Sequence, residues 1–140
     1  MGAIKQAFCD VAKRAFLDGV HQPGHTYKVA LYGPGTELGA KTAAYSTTGE
    51  VTGPGYTAGG VDVKRLGSGA EGGSAWLDFE DAVWPVATVE VAGALLYNAT
   101  APGRPAICTL DFGGVFRSTN GEFKVEMPKG TKDQALVRIA

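Results

Sequence analysis

Charge is scarce in this sequence. Lys, Arg, Asp and Glu make up 19% of its 140 residues, and the net charge is −1. No block of Lys or Arg is long enough to neutralise a row of phosphates or to hold an anionic bilayer. Nucleic acid and membrane are therefore not expected as partners. Long apolar runs are missing as well: Val86 to Tyr97, the longest, is broken by Thr88 and Glu90 and is too short to span a bilayer. Lys5, Asp10, Lys13 and Arg14 interrupt the apolar residues near the start, so no signal-peptide core forms and synthesis in a cytosol is expected. Cysteine occurs twice, as Cys9 and Cys108. Without a secretory signal these read as reduced, buried thiols that pack as small hydrophobes.

Apolar residues are plentiful, at 44%, enough for one domain, residues 1–140, with its own core. Glycine is abundant too. The 21 glycines follow no period and cluster between strand-like runs, where chains need positive φ or close backbone approach.

Along the chain the periodicity changes once. Ile4, Phe8, Val11 and Ala15 recur at helical spacing, which predicts a helix over 3–18 ended by Gly19. Phe16 and Leu17 widen its apolar face, so it either lays its stripe on the domain or serves as a partner-facing arm. From residue 26 the period becomes two. Tyr27, Val29 and Leu31 alternate with Lys28 and Ala30, a strand with one face buried. Residues 33–73 form a Gly/Pro-rich loop region in which Val61 to Leu66 is one candidate extended piece. Further strands are expected over Trp76–Phe79, Ala87–Asn98 (with a bulge or close neighbour at Gly93), Pro105–Phe112 and Ala135–Ile139. Asn120-Gly121 between Val115–Thr119 and Glu122–Met127 predicts a type I′ hairpin. The fold class is mainly β: an N-terminal helix followed by a β-sandwich or jelly-roll-like sheet over 26–139.

Chemical motifs are formally present but poorly supported. Gly67 to Gly72 spells G-x-G-x-x-G, yet strand-like Trp76-Leu77-Asp78-Phe79 follows where a dinucleotide site needs a helix, so a flexible loop is expected. His21 and His25 stand four apart, but Pro23 and Gly24 forbid the helix that would let them share a metal. They read as two solvated loop histidines. Asp78, Glu80 and Asp81, with Asp111 elsewhere, suit a solvated strand edge better than a Ca²⁺ loop or a glycosidase pair. Asn98-Ala99-Thr100 is a glycosylation sequon without a secretory context. No nucleophile elbow exists. No catalytic, cofactor-binding or metal-ligating residue is assigned, and no enzyme activity is expected.

Several segments resemble a family of small structural proteins of tailed-bacteriophage virions. They are Tyr27 to Tyr32, Glu37-Leu38-Gly39, Ala43 to Val51, Gly53-Pro54-Gly55-Tyr56-Thr57-Ala58-Gly59-Gly60, Gly93 to Asn98, Leu110 to Gly114 and Leu136 to Ile139. The Gly-Tyr-Thr-Ala-Gly-Gly piece is the most specific, and Val61 to Glu71 departs from the pattern by being more charged and richer in glycine. The resemblance implies a virion component, with capsid decoration (cement) on the outer surface of the head as the expected role. The expected partners are the major capsid protein and further copies of the chain, as a homotrimer whose weak contacts add up through avidity. Phe16, Leu17, Tyr32, Tyr45 and Tyr56 are the expected assembly contacts. Two other roles suit the same elements: a tail, fibre or head-fibre adaptor, or a carbohydrate-binding module using Trp76, Trp84 and the tyrosines as stacking platforms.

Overall fold

Two long strands dominate the architecture. A computed structural model describes residues 3–127 and 137–139. The elements are β1 (Ala7–Phe8), α1 (Asp10–Leu17), β2 (Tyr27–Tyr32), β3 (Val61–Val63), β4 (Arg65–Glu71), β5 (Ser74–Phe79), β6 (Ala82–Asn98), β7 (Ala106–Val125) and β8 (Val137–Ile139). They form a five-stranded antiparallel sheet, β1-β7-β6-β2-β3, and a three-stranded one, β4-β5-β8. The fold is mainly β and sandwich-like, with one short helix. The chain changes sheets at Lys64, between β3 and β4. One cluster of buried side chains joins both sheets, with Phe79 of the smaller meeting Tyr27 of the larger at 5.4 Å between ring centroids. No helix is long and apolar enough to cross a membrane among the described residues.

β6 and β7 pair from Tyr97↔Ala106 to Ala82↔Val125. Alternation in β6 follows from its burial: Ala82, Trp84, Ala87, Val89 and Val91 point inward, with the register shifting around Pro85, which cannot donate to a ladder. A further irregularity falls at Gly93, as expected. A Cβ there would lie 2.5 Å from the Leu110 carbonyl oxygen and 2.7 Å from Cγ2 of Ile4.

Four expectations need correction. Asn120-Gly121 makes no hairpin. Ala87 opposes Gly121 while Val89 opposes Ser118, so the pair sits in a bulge inside continuous β7, with Asn120 at φ +51°. Asn tolerates positive φ in a bulge as well as in a turn, so the dipeptide alone does not choose between them. The helix covers 10–17 rather than 3–18. Ile4 bridges Leu38 in parallel, and Phe8 pairs with Cys108. Ile4 and Phe8 are four apart, a spacing that puts them on one side of a strand as readily as of a helix. Gly19, at φ +74°, does close the helix. The third correction concerns 33–73: the extended piece expected over Val61 to Leu66 is there as β3 and the start of β4, but β4 runs on through Glu71. The G-x-G-x-x-G run lies in β4 and its turn into β5, where Gly69 lets the Trp76 ring lie against the backbone. Finally, β2 and the start of β7 are enclosed on both faces. Ala30 and Tyr32 are as buried as Val29 and Leu31, and Ala106 to Leu110 are all buried. The long loop after β2 and helix α1 supply cover on the second face. The expected strand over 135–139 is seen at β8, and residues 135 and 136 lie outside the described residues.

Candidate functional site

Residues 33–60 connect β2 to β3 with almost no regular structure, yet they are tightly tied to the sheet. The tie centres on Glu50. An isolated antiparallel bridge, Tyr32↔Glu50, holds its backbone at the end of β2, and the Val51 N–H donates to the Leu31 carbonyl at 3.0 Å. The Glu50 carboxylate accepts from the Tyr45 hydroxyl at 2.5 Å, from the Tyr56 hydroxyl, and from the Gly59 N–H at 2.8 Å. Tyr56 in turn accepts from the Leu31 N–H at 3.1 Å. Tyr97 donates to the Gly59 carbonyl at 2.6 Å, and Tyr32 to the Ser46 carbonyl at 2.6 Å. One carboxylate therefore gathers three segments of the loop onto β2 and β6.

Burial raises the phenol pKa values here, and for Tyr45 and Tyr56 donation to Glu50 adds to the rise. Tyr97 is pushed up to about 12, by burial first and by the Glu50 charge second. Tyr45 also stacks on Tyr97 with centroids 4.7 Å apart, and the Arg104 guanidinium lies over the Tyr45 ring at 5.7 Å. These phenols are locked donors that stay protonated. The arrangement fixes a loop surface; it does not activate a nucleophile.

The Gly53 to Gly60 block lies directly against sheet backbone. A Cβ on Gly55 would fall 1.9 Å from the Val86 carbonyl oxygen, and one on Gly60 would fall 1.8 Å from that of Val29. The Thr88 N–H donates to the Pro54 carbonyl at 2.9 Å, so the block caps the free edge of β6. Its glycines serve close approach, not flexibility. Beside it, residues of the 33–49 loop and of the N-terminal segment enclose an open groove of about 1230 Å³, with Lys5, Glu37 and Lys41 on its walls.

The five expected contact residues divide into two places. Tyr45 and Tyr56 are half-buried at the Glu50 hub, and Tyr32 is beside them but 1% exposed. Tyr32 is thus a core residue, not a surface contact: its ring fills the space under the 46–50 loop. Phe16 and Leu17 lie elsewhere, at the end of α1, where Phe16 is half-buried and Leu17 is 83% exposed. Trp84 is buried between Tyr56 and Phe123, with centroids at 6.0 and 6.2 Å, and is closed to a sugar ring. Exposed apolar side chains do occur on the long ribbon, at Val86, Val115 and Phe116.

Sequence reasoning missed two groups. Glu50 is the first, and its signal was a lone carboxylate in an otherwise uncharged stretch from Ala43 to Gly60. The second overturns the reading of His21 and His25 as solvated. His21 is 5% exposed, and both imidazoles accept from the buried Asn98 amide. That burial also closes the sequon at Asn98 to modification in the folded chain. Asp81 departs from a solvated edge as well, accepting from the Met127 N–H at 2.7 Å.

These features define a class: a mainly β, two-sheet protein whose long β2–β3 loop is tied to the sheet by a half-buried polar hub. No protein-family model matches the chain, and neither does any curated protein or solved structure.

Proposed function

We propose that this chain is a non-enzymatic structural protein of a tailed-bacteriophage virion, decorating the outer surface of the head and cementing contacts between major capsid subunits. The observation that carries the reading is the state of the Gly53 to Gly60 block. The most specific segment of the family resemblance is held against the sheet and fastened through Glu50. A loop surface ordered in advance loses little conformational entropy on docking, which suits a protein that must conform to a fixed lattice. Half-buried Tyr45 and Tyr56 mark that surface, and exposed Leu17 marks a second one suited to self-association as a homotrimer.

Electron cryo-microscopy of purified virions, with a mass-spectrometric copy count, tests the proposal. Hundreds of copies per particle, with density over the capsid lattice, is the expected result. A few to a dozen copies confined to the tail would assign the chain to a tail or head-fibre adaptor instead. Absence from the particle would end the virion reading altogether.

A further inference from the structure

Asn98 sits at the end of β6, 0% exposed, with every polar atom of its side chain engaged. Its Oδ1 accepts from the Thr100 N–H at 2.9 Å and the Ala101 N–H at 3.0 Å. Those two donors fix which end of the amide is oxygen. Nδ2 must then donate outward, and it faces Nδ1 of His21 at 3.0 Å and Nδ1 of His25 at 2.9 Å. Both imidazoles are therefore acceptors at Nδ1 and carry their proton on Nε2. Each must be neutral, because a protonated ring has no lone pair to offer at Nδ1.

We infer that His21, His25 and Asn98 form an acid-sensitive latch that holds α1 and the 19–25 linker against the sheet while both imidazoles are neutral. The surroundings of His21 support this. From α1 the Phe16 ring packs on the imidazole with centroids 4.7 Å apart, and from β2 the Tyr27 ring lies at 6.3 Å. From β4 the Arg65 guanidinium donates to the His21 carbonyl at 3.0 Å and to the Tyr27 hydroxyl at 3.2 Å. Arg65 is thus the standing positive charge beside His21, and it and the His25 ring both disfavour a proton there. Nε2 of His21 is buried with no hydrogen-bond partner among the described residues and already holds the proton of the neutral ring, so a second proton must enter at Nδ1, against the Asn98 amide N–H. Desolvation first, then His25 and Arg65, lower the His21 pKa from 6.5 to about 4.

A histidine whose folded pKa is depressed stabilises the closed state fully above pH 6.5, and that stability drains away as pH falls toward 4. Between pH 8 and pH 5 the opening equilibrium of the latched segment rises about 30-fold from His21 alone. The strands underneath have no such dependence on these two rings. Acid thus frees the helix end that carries Phe16 and Leu17 before it unfolds the body.

Amide hydrogen exchange on the full chain, corrected for intrinsic rates, reads this directly. Residues 10–25 should exchange roughly 30-fold faster relative to their intrinsic rates at pH 5 than at pH 8, while Ala94 to Leu96 stay protected. Imidazole nitrogen shifts should place the proton of both rings on Nε2 at pH 8. A change below threefold, or an Nδ1–H tautomer on either ring, overturns the latch. Asn98→Asp supplies the opposite sign. A carboxylate facing two Nδ1 atoms favours protonated rings, so the segment should then be better protected at pH 5 than at pH 8. A folded Asn98→Asp variant that keeps the wild-type sign also overturns the inference. If that variant does not fold, the wild-type titration decides alone.

Discussion

Removing the Glu50 carboxylate should unfasten the β2–β3 loop, and the size of the effect depends on what replaces it. Glu50→Ala deletes the common acceptor of the Tyr45 hydroxyl, the Tyr56 hydroxyl and the Gly59 N–H. Hydrogen bonds to a charged acceptor contribute about 1.5–3 kcal/mol each, and a half-buried site lets water replace part of that. Tyr56 keeps its bond from the Leu31 N–H, which limits its share of the loss. The expected cost is about 3–5 kcal/mol, a large part of the roughly 5–15 kcal/mol that holds a domain of this size. Glu50→Gln should cost far less, about 1 kcal/mol. Its carbonyl oxygen can take the Tyr56 and Gly59 donors, while its amide donates to the Tyr45 hydroxyl, which turns to accept. Urea unfolding of the wild type and both variants measures the difference. The alanine midpoint should fall well below the glutamine one, at unchanged slope. Equal losses in the two variants, or a loss under about 1 kcal/mol for alanine, would refute the hub.

Other perturbations probe the same fold. All five tyrosines have raised pKa values, each from burial first, so folded protein should show little phenolate absorbance at pH 10.5. Their contribution to stability is complete below pH 10 and lost as pH climbs above it, so phenol ionisation should coincide with loss of far-ultraviolet circular dichroism. Gly60→Ala drives a Cβ into the Val29 carbonyl at φ +86° and should cost about 3–5 kcal/mol in the same urea assay. Gly35→Ala, at φ +84° with nothing within 4 Å, should cost only about 1–2 kcal/mol. Asn120→Val should destabilise by about 1–2 kcal/mol while Asn120→Gly stays within a few tenths, since the bulge needs positive φ there.

Much of the sheet was legible because burial on one face writes a period of two into the chain. Phe123, Val125 and Met127 alternate with Glu122, Lys124 and Glu126, and Gly93 announced its irregularity by interrupting such a run. Legibility ended where two physical demands share one residue pattern. Asn-Gly satisfies a bulge or a turn equally, and an i, i+4 apolar pair fits a strand or a helix. Alternation also vanished wherever a second layer covered a strand, as at Ala106 to Leu110. The site was harder to read. Glu50 meets its phenols across loops, and Asn98 meets His21 across 77 residues. A single sequence holds no periodic trace of either. The tyrosines were singled out as assembly contacts from sequence alone, with no signal that Tyr32 would be core or that the hydroxyls of half-buried Tyr45 and Tyr56 would turn inward to Glu50.

The short strand β1 sets the order in which the molecule can be completed. Ala7 and Phe8 pair with Thr109 and Cys108, so about a hundred residues must be made before they find a partner. At typical elongation rates of 5–20 residues per second, that is a delay of roughly 5–20 s. Throughout it, Phe8 and Phe16 have no sheet to cover them. The β6–β7 pair is adjacent in sequence and can close first, leaving the front of the chain to dock as a finished edge arrives. A segment translated well before its partner strand is thus among the last to be folded, and its apolar side chains must be kept from other partners for that interval.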